Sequence, residues 1–329
     1  MEALERSITV TLRSRIGTTA IFSAAFLAML LASETAHIPA IATGRGLVEG
    51  VGTAEMVTGS LSLLLSLLLT GAIMGAMVLI NSTYNMLRTS SQLYLAVFAV
   101  MQAASPLISI RLCSGSLVAL VILSAIGLMY SVYQQPRTGT RRIFLVFLLL
   151  SAGAMAQYAF LAYIPVFIAG CAQMRAFKFR SLLAAIVGLV TPWWIALGLG
   201  LIHFSQITLP TGLSIYSDLG SADTLQLAAV IIATVLSGII ITFLNMVKTY
   251  AYNAKARSFA GLLVTVTLAT VILTVIDFAN VTAYLTLLNC CVAYQTTLFF
   301  RINAENRGYI AVLSLFAVYI ILYIWSIII

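Results

Sequence analysis

The sequence predicts an all-α polytopic membrane protein with about 10–11 transmembrane segments, and three observations support this fold class. First, 62% of the 329 residues are hydrophobic and only 8% are charged, whereas soluble domains carry about 25% charged residues. Second, the apolar residues form long runs near the roughly 20 residues that a helix needs to cross a bilayer. Third, the basic residues lie between these runs, as topology signals do. We therefore attribute the net charge of +8 to membrane orientation and expect no nucleic-acid partner.

Ten apolar runs follow one another along a single integral membrane domain, residues 1–329. They are 16–33, 56–80, 91–110, 114–133, 143–174, 181–203, 225–247, 258–276, 279–300 and 308–328. The first run follows Arg6, Arg13 and Arg15, and no clear small-residue cleavage pattern comes after it, so we interpret it as a retained signal-anchor helix. Internal repeats, low-complexity segments and linkers are not evident in the sequence.

The run 143–174 is too long for one crossing and short for two. It lies within 32 uncharged residues between Arg142 and Arg175, which would span about 48 Å as one helix, against a hydrocarbon core of about 30 Å. Two helices would each reach only about 22 Å. With a cytoplasmic N-terminus, two crossings put 15 of the 17 basic residues on the cytoplasmic side, whereas one crossing leaves seven there. The positive-inside rule therefore predicts a short helix pair. We place its break at Ser151–Tyr158, where small residues and Gln157 interrupt the bulky apolar run. This pair either borders a cavity or forms two ordinary short spans in a thinned bilayer.

Cysteine spacing and soluble-enzyme motifs exclude several chemistries. The four cysteines form no C-x-x-C pair and have no histidine nearby, so we expect small buried side chains and neither a metal site nor a cofactor. The sequence contains no P-loop, G-x-G-x-x-G, H-E-x-x-H or G-x-S-x-G motif. ATP-driven work by this chain alone is therefore not expected.

The first outward loop, residues 34–55, carries the candidate catalytic pair. Glu34 and His37 are spaced i, i+3 and would share one face of a helical turn. A carboxylate near a low-dielectric surface can accept a proton from a hydroxyl group, and a histidine can relay it. The alternative is a helix end that meets water, where polar residues are common.

Three further residues are candidates for substrate binding. Arg111 lies between two runs on the outward side, where it could bind a phosphate group or extend towards lipid headgroups. Asp218, together with Asp223, could bind a cation, although Asp223 also suits a helix N-cap. Asp277 is an intramembrane carboxylate if its turn enters the bilayer, but with Asn280 nearby a polar turn is the favoured interpretation.

Two resemblances extend these predictions. The stretch Arg175-AFKF-Arg180, the following SLLAAIVGLVTPWWIAL and the connection Asn81-STYNML-Arg88 resemble an uncharacterised family of multipass inner-membrane proteins from Bacteroidota, a domain of unknown function. The order of segments is also loosely similar to polyprenyl-dependent glycosyltransferases of the GT-C type. That resemblance implies that Glu34 is the catalytic carboxylate, although the neighbouring second acid common in those enzymes is missing here.

These observations lead to three functional hypotheses for a protein of the bacterial inner membrane. The first is a transferase or polymerase that assembles envelope glycans or lipid-linked sugars at the outer face, with membrane lipids and a polyprenyl-linked sugar as its partners. The second is a transporter or flippase, for which repeats and mid-membrane ionisable residues are expected. The third is a non-catalytic scaffold subunit.

Overall fold

The computed structural model describes residues 2–35, 46–48, 60–87, 92–135, 139–207, 222–249, 253–303 and 308–328. Apart from one antiparallel bridge between Val48 and Ile207, regular structure in these ranges is helical. The helices are α1 Glu2–Arg13, α2 Arg15–Thr35, α3 Ser60–Tyr84, α4 Leu93–Ala103, α5 Pro106–Ser109, α6 Ser114–Val132, α7 Gly139–Ala156, α8 Ala159–Gln173, α9 Phe179–Gly198, α10 Ala222–Thr249, α11 Ala254–Ile276, α12 Val281–Ile302 and α13 Tyr309–Ile328.

The helices confirm the polytopic membrane fold. Nine of the described helices are long and apolar enough to cross a bilayer, and α4 and α8 are shorter apolar helices. The outer surface carries large apolar side chains: Leu68, Trp194 and Ile240 each expose more than half of their surface. Lipid tails can cover such a surface, whereas water covers it at a large cost in free energy.

The long run 143–174 forms two helices, as the charge distribution predicts. Helix α7 ends at Ala156, α8 begins at Ala159, and Gln157 and Tyr158 form the break, within the predicted Ser151–Tyr158 stretch. Helix α9 packs closely along α7, where the Ser151 hydroxyl donates to the Leu189 carbonyl oxygen at 2.6 Å. A methyl group on Gly188 would lie 2.6 Å from the Phe144 carbonyl oxygen, so this close approach requires glycine.

The run 91–110 differs from its prediction as one continuous span. Helix α4 ends at Ala103, and α5 begins at Pro106. Ser105 is not helical (φ −122°, ψ 74°), because the ring of a following proline disfavours the helical conformation. Ten of the eleven residues of α4 are buried, so this broken segment lies inside the bundle.

The helix termini gather at two ends of the bundle. The end that we call the basic end includes the start of α7, the α8–α9 connection, the start of α11 and the end of α12. Hydrogen bonds from Arg142 to the Ser131 carbonyl and from Lys248 to Asn303 link neighbouring helix termini there. The described basic residues there include Arg141, Arg142, Arg175, Lys178, Arg180, Lys248, Lys255, Arg257 and Arg301. The positive-inside rule predicts that this end faces the cytoplasm.

The opposite end, called the distal end here, gathers the breaks and turns at residues 104–113, 157–158 and 277–280. Gln226 at the start of α10 donates to the Ala104 carbonyl oxygen at 3.1 Å. The Leu112 amide donates to the Ser62 hydroxyl at the start of α3 at 2.9 Å. Arg111, a described basic residue of this end, has an exposed side chain.

Helix α12 forms the centre of the bundle. It has the lowest mean hydropathy of the nine spanning helices, 1.2, yet 94% of its spanning stretch is buried, against 22–61% for the others. Helices α4, α6, α10 and α11 pack around it. The most polar spanning helix is therefore shielded from lipid by its neighbours.

Candidate functional site

The candidate site is built around Asp277, in the short turn between α11 and α12. Asp277 ends α11, and a 3-10 turn over Phe278–Asn280 leads into α12. The turn lies at the distal end, and the Asp277 side chain is half-buried. Asp277 therefore lies in a polar turn with Asn280, the interpretation that the sequence favours. Its carboxylate also accepts hydrogen bonds from side chains outside the turn.

Two tyrosine hydroxyls hold the Asp277 carboxylate. The Tyr158 hydroxyl lies 2.9 Å from Oδ1 and 2.8 Å from Oδ2. The Tyr284 hydroxyl donates to Oδ2 at 2.9 Å. The carboxylate is thus fixed between the α7–α8 break, which supplies Tyr158, and the second turn of α12, which supplies Tyr284.

Tyr158 remains a hydrogen-bond donor in this arrangement. Burial raises the pKa of Tyr158 well above its ordinary value, and the hydrogen bond and negative charge of Asp277 raise the pKa further. The phenol therefore stays neutral near pH 7, and its proton is directed at the carboxylate.

An amide network lies beside the carboxylate. The Gln157 side chain donates to Asn280 Oδ1 at 2.9 Å and to the Ser114 hydroxyl at 3.3 Å. Gln157 and Asn280 are almost completely buried. The first turn of α6 packs tightly here, since a methyl group on Gly115 would lie 2.1 Å from the Thr282 carbonyl oxygen. The α6 start, the α7–α8 break and the α11–α12 turn therefore form one rigid unit around Asp277.

A buried polar column continues from this unit along α12. Thr282, Thr286 and Asn289 are spaced i, i+4, i+7 and share one helix face. Asn289 donates to Gln102 Oε1 of α4 at 2.9 Å. The Gln102 Nε2, Asn289 Oδ1 and Thr286 Oγ1 atoms are buried and have no hydrogen-bond partner among the described residues. A buried polar group without a partner costs about 1–3 kcal/mol, and these three atoms hold hydrogen-bonding capacity that the described residues do not use.

The two predicted outward loops meet at the distal end. Leu47 and Val48 donate their backbone amides to the carbonyl oxygens of Ala154 and Met155, each at 3.3 Å. Val48 also pairs with Ile207, which lies in the second predicted outward loop, residues 204–224. The first loop therefore contacts the end of α7 through Leu47 and Val48, close to the break that supplies Tyr158, and the second loop contacts the first.

The other predicted site residues are only partly described. Glu34 lies in the last turn of α2, but its side chain, like His37 and Asp218, is outside the described residues. Asp223 suits an N-cap by sequence, but it lies within the first turn of α10, which begins at Ala222. In the part of the chain that the structure describes, no ion pair joins Arg111 to Asp277, although both lie at the distal end.

The described residues contain no group of three His, Cys, Asp or Glu side chains that could hold a metal ion. All four cysteines are buried free thiols. The sulfur of Cys113 lies 3.8 Å from the Thr282 carbonyl oxygen, so this thiol belongs to the packing of α6 on α12.

Tyr158, Tyr284 and the Gln102–Asn289 pair were not predicted from the sequence as functional candidates. Amide side chains within apolar runs were the available signal, because such groups need buried partners in a membrane protein. The partners themselves could not be assigned, since Asn289 and Gln102 are 187 residues apart.

Comparison with protein-family models, with curated proteins and with solved structures finds no match for this chain. The resemblances to a Bacteroidota membrane family and to GT-C glycosyltransferases therefore remain predictions.

Proposed function

We propose that this multipass protein belongs to the bacterial inner membrane and acts on a hydroxyl-rich, lipid-linked substrate in envelope glycan or lipid-linked sugar assembly. The observation that carries the proposal is the half-buried Asp277 carboxylate, held by Tyr158 and Tyr284 at the distal end. Carboxylate and phenol oxygens accept hydrogen bonds from sugar hydroxyls, and each phenol oxygen can do so while donating to Asp277.

The proposal divides the polar residues of the distal end by role. Asp277 orients an acceptor hydroxyl of the substrate, and Arg111 binds the phosphate of the lipid carrier, for which a guanidinium is well suited. Glu34 is the general base with His37 as its proton relay, as the GT-C resemblance implies. Asp218 is an additional substrate contact in the second loop. A membrane boundary is a suitable place for this reaction, because the lipid carrier stays in the bilayer while the sugar lies at its surface.

The test measures sugar transfer by protein reconstituted in liposomes with isotope-labelled polyprenyl-phosphate hexose as the probe. Asp277→Asn keeps the side-chain volume and removes the charge, and Glu34→Gln does the same at the proposed base. We expect Glu34→Gln to lower the rate by about 10²-fold or more, as for loss of a general base. Asp277→Asn should chiefly raise KM.

The matched control is Glu305→Gln, which makes the same substitution in the connection between α12 and α13, outside the proposed site. Full activity in both Glu34→Gln and Asp277→Asn would rule out the transferase. Loss of activity in those two variants, with retained thermal stability, would support it.

Transport is the second candidate function, and the buried polar column along α12 is the observation that favours it. The column runs along α12 beside the broken α4–α5 segment, and discontinuous helices with buried polar groups are typical of transporter binding sites. The reconstituted protein would then move a fluorescent polyprenyl-phosphate lipid between leaflets, and Asn289→Leu would slow this movement while Asp277→Asn would affect it less. Equal lipid movement in protein-free liposomes would rule out transport, and a scaffold subunit predicts that all these variants keep function.

A further inference from the structure

A cavity of about 160 Å³ opens at the basic end, away from the Asp277 site. Its lining includes Tyr84, Asn85, Asn253, Lys255, Phe259 and Arg301. These residues come from the end of α3, the start of α11 and the end of α12, so the cavity lies where three helix termini meet.

The cavity wall is rigid because its aromatic side chains pack on one another. The Phe259 ring stacks on Tyr130 with centroids 4.4 Å apart, and Tyr84 meets Phe259 edge-on at 5.7 Å. The Tyr84 hydroxyl donates to the Gly127 carbonyl oxygen at 2.8 Å, and the Tyr130 hydroxyl donates to the Phe259 carbonyl oxygen at 3.1 Å. The cavity is thus preformed.

The polar rim is also fixed by local hydrogen bonds. Asn253 caps α11, and its Oδ1 accepts the Ala256 amide at 3.1 Å. Asn85 adopts a left-handed conformation with φ +47°, which asparagine tolerates better than most residues. The following turn is closed by the Leu87 amide, which donates to Asn81 Oδ1 at 3.0 Å.

The charged groups of the cavity are both cationic. Lys255 extends over Phe259, with Nζ 5.6 Å from the ring centroid. Arg301 is half-buried in the last turn of α12. Among the acidic residues, the structure describes the side chain of Asp277 alone, and Asp277 lies at the opposite end of the bundle. Within the described residues, therefore, neither cation forms an ion pair with a carboxylate. The cavity therefore attracts an anion.

We propose that this cavity binds a phosphate group, with Lys255 and Arg301 as its charged ligands and Asn85 and Asn253 as polar contacts. The cavity, of about 160 Å³, has room for a phosphate group between these four side chains. Basic sites between transmembrane helices at the cytoplasmic side bind phosphate headgroups of anionic lipids. The phosphate can come from such a headgroup, with the acyl chains along the exposed apolar surface, or from a soluble phosphate compound.

The experiment measures lipid retention by the full-length protein in native mass spectrometry, in detergent micelles doped with phosphatidic acid. Lys255→Met/Arg301→Met removes both charges, and we expect phosphatidic acid binding to weaken about thirtyfold, from roughly fivefold per cationic side chain. Ala256→Trp fills the cavity while keeping both charges, and it should weaken binding similarly. The matched control is Lys178→Met/Arg257→Met, which removes two charges of the same end outside the cavity and should leave binding within about twofold.

A second arm identifies the source of the phosphate by competition with glycerol 3-phosphate and inorganic phosphate. Lipid retention that the cavity variants abolish assigns a headgroup site. Binding of the soluble phosphates alone, lost in the same variants, assigns a soluble phosphate site. Equal binding in the cavity variants and the control pair, or no phosphate binding in either arm, overturns the proposal. Melting temperatures in detergent check that each variant is folded, and Asp277→Asn should bind phosphatidic acid normally.

Discussion

The two ends of the bundle organise their polar groups in opposite ways. At the distal end, a carboxylate is enclosed by hydroxyl and amide partners from three helix connections. At the basic end, two cations surround an open cavity with an aromatic wall and no carboxylate among the described residues. The hydrogen bonds of the distal end thus join parts of the protein to one another, whereas the cations of the basic end stay available for a ligand. The same membrane fold supports a fixed polar site at one boundary and an anion-attracting site at the other.

The largest expected difference between the two ends concerns a single tyrosine hydroxyl. Tyr284→Phe removes a donor to the Asp277 carboxylate and should lower the free energy of unfolding by about 1.5–3 kcal/mol, the range for hydrogen bonds to charged groups. Tyr84→Phe at the basic end removes a donor to a neutral carbonyl and should cost about 0.5–1.5 kcal/mol. Unfolding in mixed detergent micelles measures both. Equal losses would mean that the Asp277 unit is no stronger than an ordinary contact.

The close packing of the distal end predicts a second contrast. Gly115→Ala places a methyl group against the Thr282 backbone and should lower the free energy of unfolding by about 1–3 kcal/mol, as overpacking does. Gly261→Ala, whose new methyl would meet its nearest neighbour at 3.7 Å, should be neutral or stabilise α11 by about 0.5–1 kcal/mol. Thermal unfolding in detergent compares the pair. A stable Gly115→Ala protein would show that α6 and α12 can separate at this end.

The polar column predicts a compensation between two variants. Asn289→Leu leaves the Gln102 amide buried without its partner and should cost about 1–3 kcal/mol. Adding Gln102→Leu removes the orphaned amide, and because an apolar pair replaces a polar one, most of that loss should be recovered. A double-mutant cycle in detergent unfolding measures the coupling. Additive losses would contradict a direct partnership.

The smallest expected effect is a pH dependence at the distal end. The pKa of Tyr158 is raised in the folded protein, so its contribution to stability is present below the unfolded pKa of about 10 and declines as pH rises above that value. Because Tyr158 is half-buried and solvent screens its charge, the loss of unfolding free energy between pH 8 and pH 11 should stay below about 1 kcal/mol. The difference in unfolding free energy between the wild type and Tyr158→Phe, measured at pH 8 and pH 11, should shrink at the higher pH. A constant difference would contradict the assigned shift.

Charge and hydropathy were sufficient to predict most of the fold. The basic residues around 143–174 predicted two helices, because a charge asymmetry across the membrane depends on sequence order alone, and the small residues with Gln157 predicted the break between them. The broken α4–α5 segment was missed although Ser105–Pro106 gave a local signal, since the hydrophobic run around it is uninterrupted. The Asp277 site was predicted only as a single residue. Its partners Tyr158 and Tyr284 reach it through the packing of α6, α8 and α12, and such packing cannot be derived from one apolar run at a time.

The burial of α12 also sets conditions on how the chain is inserted into the membrane. Its amides and hydroxyls would face lipid if α12 entered the bilayer alone, and such exposure is costly. The four helices that pack around it, α4, α6, α10 and α11, all precede it in the chain. During synthesis α12 can therefore enter a groove already lined by its partners. A chain in which α4 is disrupted should insert α12 poorly, so defects in the first half would cause degradation of the whole protein.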